Sequence, residues 1–197
     1  MAGASQRLVT EGDLRQPASL ASRVIGAWRR PGASFRREMA FGLDERRLIA
    51  FGFGATLFLT LGRVMAETVR PELAAGPDRT AWFAATVLIG FSFGLLALYA
   101  IAAVVRLICR AFGGAGGWAE TRLALFWSGL AAGPAIALGH VLGAAIDGRS
   151  LAAFLGGACW AALFIPMLAA AQGFSPWRVT VFFTILCSFL LALPNLG

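Results

Sequence analysis

The chain has 197 residues, 58% of them hydrophobic and 14% charged, against about 25% charged in a soluble globular domain. That balance excludes an ordinary water-soluble domain, and five spans of ~20 residues each would occupy about half the chain, leaving no room for a separate soluble catalytic domain. The formal net charge of +7 does not mark a nucleic-acid binder: all 17 basic residues are arginines, nine of them precede residue 48 beside five acids, and no aromatic platform or recognition motif accompanies them.

Residues 1–17 are polar, small and aperiodic and read as a flexible tail, and the first 47 residues lack the apolar stretch of a secretory signal. From Ala18 onward, Leu20, Val24, Ile25 and Trp28 recur at helical spacing beside Arg23, Arg29 and Arg30. Pro31 and Gly32 break that run, and Phe35 and Met39 resume it beside Arg36 and Arg37. Residues 18–47 therefore read as a basic amphipathic segment in the membrane interface, with Arg29, Arg30, Arg36, Arg37, Arg46 and Arg47 placed against anionic lipid headgroups. A solvated linker is the other reading of the same stretch.

Five apolar stretches follow and make residues 48–197 a membrane domain. The first covers 48–69, with Asp44 as a plausible N-cap and Pro71, Gly76 and Pro77 in the loop beyond it. The second, 80–105, is uncharged until Arg106 and Arg110; Gly113, Gly114, Gly116 and Gly117 then form a flexible hinge or a tight turn. The third, 123–146, is interrupted only by His140, and a minimal turn leads to the fourth, 151–172. The fifth, 179–193, is the shortest. The fold class predicted is an all-α integral membrane protein: five transmembrane helices preceded by the short basic segment. With the N-terminus inside, 13 arginines fall in the inner segments and three in the outer ones, so the positive-inside rule places the N-terminus in the cytoplasm and the C-terminus outside.

Small residues four apart let transmembrane backbones approach closely. Gly90 with Gly94, Gly129 with Gly133, and Gly139 with Gly143 have that spacing, and they suit either packing within the chain or a homodimer face. Pro134 and Pro166 should kink their spans. The ionisable groups inside apolar runs are few. Arg63 and Glu67 are four apart and can pair on one face near the outer interface, and His140 could carry a proton or bind a ligand, or simply satisfy a backbone carbonyl. Cys109, Cys159 and Cys187 lack metal or disulfide spacing. No HExxH, GxSxG or phosphate-loop pattern occurs, so no catalytic, metal or cofactor residues are expected.

The stretch LLALYAIAAVVRLICRAFGGAGGWAETRLALFWSGLAAGP at 95–134 resembles the bacterial branch of the Yip (Ypt/Rab-interacting protein) domain family. The hallmarks are Arg106, Leu107 and Arg110 closing an apolar helix, the GGxGxW element from Gly113 to Trp118, and Arg122 before an aromatic-rich helix ending at Pro134. The upstream AWRRPGASFRREMAFGLDERRLIAF is similar to the segment before the first span in these proteins. The resemblance implies five spans and a cytoplasmic N-terminus. In eukaryotic members it implies binding of small GTPases and shaping of vesicular membranes, but this chain carries AWRRPG where they carry an acidic, tyrosine-containing element. The expected function is that of a non-enzymatic scaffold, adaptor or membrane organiser in the bacterial inner membrane. Its partners would be anionic lipid and another membrane protein or a second copy; a small transporter or channel with a site near His140 is the alternative.

Overall fold

The computed structural model describes residues 19–71, 78–146, 149–175 and 177–181. Among these, the elements are α1 (Leu20–Arg29), α2 (Pro31–Ala40), α3 (Glu45–Val69), α4 (Arg79–Ala111), α5 (Trp118–Ala145) and α6 (Arg149–Gln172). Four of the described helices are long and apolar enough to cross a membrane: α3, α4, α5 and residues 153–172 of α6. At a rise of ~1.5 Å per residue, α3 is ~37 Å long and α4 ~50 Å, both more than a hydrocarbon layer of ~30 Å. The expected tail at 1–17 and nearly all of the expected fifth span, 179–193, lie outside the described residues.

Local chemistry sets the helix ends. Ser19 caps α1 by accepting from the Ser22 N–H at 3.3 Å, and Pro31 opens α2 at a position where its missing N–H costs nothing. The Asp44 carboxylate accepts from the Arg46 N–H at 3.3 Å, as the sequence suggests, and Asp78 accepts from Thr80 and Ala81 at 2.9 and 3.1 Å. α4 runs six residues beyond the expected span. Arg106 and Arg110 continue the helix rather than end it, because arginine in a last turn complements the helix dipole while its stem remains apolar. Gly113, at φ +80°, makes the stop.

α3 and α5 form the central pair, α6 packs on α5, α4 lies along α3, and the α1–α2 hairpin sits across α5 and α6. The core is concentrated at the end carrying the hairpin: Phe35, Phe126, Trp127 and Phe164 are fully buried there, and Thr121 to Gly133 of α5 are almost continuously covered. On the far side of α4, Leu88, Phe93, Leu96 and Leu107 are each about two-thirds exposed. In water such a face would aggregate; lipid chains are the solvent it suits.

Glycine permits the close helix contacts. Gly90 and Gly94 of α4 face Thr60 and Thr56 of α3, and Gly129 and Gly133 of α5 face Ala55 and Phe58 of α3. A Cβ on Gly133 would stand 2.6 Å from Phe58 Cδ2. These four glycines thus pack within the chain. Gly143 is buried and Gly139 half-buried in the part of α5 away from the hairpin. Gly62, which belongs to none of the three expected pairs, brings α3 directly against the backbone of α5: a Cβ there would lie 2.7 Å from the Ala137 Cα.

Candidate functional site

The polar side chains of the hairpin end fall into three groups. In the first, Glu38 on α2 is completely buried and forms ion pairs with Arg23 of α1 and Arg47 of α3. Arg23 Nε donates to Glu38 Oε1 at 2.9 Å, and Arg47 Nη1 donates to the carbonyls of Glu38 and Gly42 at 3.1 and 3.3 Å. The Arg23 guanidinium lies over the Phe51 and Trp127 rings at 5.7 and 5.3 Å, and that of Arg47 over Phe41 and Phe51, both at 5.3 Å. A carboxylate with no access to water needs such partners, since an uncompensated buried charge costs several kcal/mol. Two further bonds fix the hairpin to α5: the Trp127 indole N–H donates to Ser34 Oγ and that of Trp28 to the Ala131 carbonyl, each at 3.0 Å.

The second group joins α3, α4 and α5. Arg122 Nη1 donates to Glu45 Oε1 at 2.5 Å, and the Tyr99 hydroxyl donates to the same oxygen at 2.5 Å. The Arg122 guanidinium lies over Tyr99 at 5.4 Å and Trp118 at 5.1 Å. The rings supply quadrupole attraction to a cation largely removed from water.

The third group holds the glycine loop. Gly116 N–H donates to Gln172 Oε1 at 3.1 Å, Ala115 N–H to the Gln172 carbonyl at 3.2 Å, and Gln172 Nε2 donates to Thr121 Oγ1 at 2.8 Å. Arg106 Nη1 donates to the Gly116 carbonyl at 2.6 Å. The loop is therefore a tight turn fastened to the end of α6, and Gly114 has no room for a side chain, because a Cβ there would lie 2.7 Å from Gln172 Oε1 and 2.9 Å from the Cys109 carbonyl. Gln172→Ala would leave the Gly116 N–H and the Thr121 hydroxyl short of a partner. The expected loss is about 1–3 kcal/mol, read as a lower unfolding temperature in mild detergent.

The family model for the Yip1 domain matches residues 25–194. The chain belongs to the Yip1 domain family. No curated protein and no solved structure matches it. The matched region begins within α1, so Glu38, Arg47, Glu45, Arg122 and Gln172 all lie inside the Yip1 domain, with Arg23 two residues ahead of it.

In this Yip1-domain chain the arginines expected at lipid headgroups divide. Arg29, Arg30, Arg36, Arg37 and Arg46 are exposed, whereas Arg47 is bound to Glu38. Toward the other end of α3 and α5, Arg63 is exposed and near enough for its charge to act on both Glu67 and His140, His140 is half-buried, and Glu67 is buried with its Oε2 unpartnered. The ion pairs among the described residues do not include Arg63–Glu67. Helical spacing permits that pair without imposing it, and Arg63, though exposed, acts on Glu67 from beyond ion-pair distance. No group of three or more potential metal ligands occurs among the described residues.

Sequence reasoning missed Glu38, Glu45, Tyr99 and Gln172 as structural anchors. For Glu38 a signal existed: it is the sole acid between residues 19 and 43 in a segment otherwise charged by arginine.

Proposed function

We propose that this Yip1-family membrane protein is a non-enzymatic scaffold, adaptor or membrane organiser of the bacterial inner membrane, with five spans, a cytoplasmic N-terminus and a periplasmic C-terminus. The observation that carries the reading is the employment of its polar side chains. Glu38, Arg23, Arg47, Glu45, Arg122 and Gln172 are engaged with one another or with backbone in joining helices, and no nucleophile is set beside a base among them. The surface offered to partners by the described residues is a lateral apolar face and a set of exposed arginines at the hairpin, while Glu67 and His140 stand apart from these joints. The partners proposed are the bilayer itself and another membrane protein or a second copy of the chain.

The orientation follows from the arginine distribution. A reporter fused after Gly76 should be active only outside, and one fused to a chain ending within Gly113 to Gly117 only in the cytoplasm. Cross-linking in intact membranes, followed by purification of the full chain in mild detergent, should recover a defined stoichiometric partner or a discrete oligomer. Recovery of the chain only as an uncross-linked monomer would count against the adaptor role.

A further inference from the structure

Building on the membrane-scaffold reading, we infer that the docked α1–α2 hairpin is a binding surface for the phosphate headgroups of anionic lipids, and that Arg29, Arg30, Arg36 and Arg37 are its contacts. All four are exposed, on two helices held as one unit by Glu38, Ser34 and Trp28. The hairpin's one acid, Glu38, is buried and neutralised by Arg23 and Arg47, so the exposed charges of the hairpin are these four arginines and no acid. Leu20, Ile25 and Trp28 lie exposed on α1 near Arg29 and Arg30, at 50%, 56% and 41%. This is the composition of a surface at the boundary of headgroups and acyl chains, where arginine stems cover apolar atoms and guanidinium groups take phosphate oxygens bidentately.

Position agrees with composition. The hairpin is tied through Arg47 to the start of α3, one residue before the uncharged run that opens at Leu48. The base of the hairpin, where Glu38 meets Arg47, therefore stands where the apolar run begins, and its tip reaches along α5 to Ala131. Its packing also decides which force acts there. Ala27 and Phe35, which a free amphipathic helix would bury in lipid, are fully buried in the protein. The lipid contact is accordingly governed by charge, and it selects for headgroup.

The test uses the full chain in phosphatidylcholine bilayers containing a trace of spin-labelled phosphatidylglycerol or spin-labelled phosphatidylcholine. It reads the ratio of the two association constants at the protein surface. The wild-type ratio should favour phosphatidylglycerol at low salt and fall toward unity at high salt, because the Debye length shrinks to ~3 Å at 1 M. In the Arg29→Ala, Arg30→Ala, Arg36→Ala, Arg37→Ala variant the low-salt ratio should drop roughly fivefold, the loss of one arginine's attraction per bound lipid. Arg63→Ala should leave the ratio within about twofold when it is read at physiological salt, because Arg63 stands about 24 Å along α3 from Arg47, or roughly three Debye lengths of ~8 Å. All four substituted side chains are exposed, so an unchanged unfolding temperature would confirm that the variant folds. A ratio insensitive to the four substitutions would overturn the inference and leave the arginines to an acidic protein segment. Recovery of the cross-linked partner in that same variant would show that the scaffold reading stands apart from this failure.

Discussion

Glu38→Gln is expected to loosen the hairpin by about 3 kcal/mol, the low end of the range for breaking a buried ion pair, because Arg23 and Arg47 retain partial access to water. Neither guanidinium can pair with an amide as it does with a carboxylate, and each keeps its place over the aromatic rings without a counter-charge. The consequence is local opening. Limited trypsin cleavage after Arg29 and Arg36 should accelerate roughly a hundredfold if opening is fast relative to cutting. Arg23→Ala and Arg47→Ala should each have a smaller effect, since Glu38 then keeps one partner. An unchanged cleavage rate in Glu38→Gln would mean that the apolar contacts of Ala27 and Phe35 alone hold the hairpin in place.

Gly62→Val should be the most damaging substitution in the membrane helices. A Cβ at that position would lie 2.7 Å from the Ala137 Cα, 3.2 Å from its Cβ and 3.3 Å from its carbonyl oxygen. Those are backbone and near-backbone atoms, which have no rotamer to change, so α3 and α5 must separate along their length. Overpacking of this kind costs about 1–3 kcal/mol for a single added group, and the branched side chain should reach the top of that range or exceed it. Gly26→Ala is the matching control: nothing lies within 4 Å of a Cβ there, and alanine should stabilise the helix by roughly 0.5–1 kcal/mol. Thermal unfolding of both variants in the same detergent checks the pair. Equal midpoints would show that α3 and α5 do not approach as closely as described.

Local features of this fold were legible in the sequence, and long-range pairings were not. The apolar stretches at 48–69 and 80–105, the Asp44 cap and the glycine pairs at 90/94 and 129/133 are all set by neighbours within a few turns, where composition and spacing suffice. The clusters at the hairpin end are of another kind. Arg122 and Glu45 are separated by 77 residues and Gln172 and Thr121 by 51, and nothing in the spacing of either pair indicates that its members meet. Arg47 shows how this misleads. On sequence it is one more arginine in a basic run, yet Glu38 draws it out of the lipid-facing set. Trp28 is similar: its ring is partly exposed, as an interfacial residue should be, but its N–H is fixed to the Ala131 carbonyl of α5. The GGAGG loop read equally well as hinge or turn, and the bonds it makes to Gln172 of another helix and to Arg106 decide for the turn.

The most direct test of the non-transporting scaffold is flux. Full-length protein reconstituted into sealed liposomes, with a proton gradient and then a potassium diffusion potential imposed, should leave permeability at the level of protein-free liposomes. His140→Ala and Glu67→Gln should then change nothing, because neither residue serves a transported species. A saturable flux carried by the wild-type chain and abolished by either substitution would contradict the scaffold reading and make the outer half of α3 and α5 a transport site.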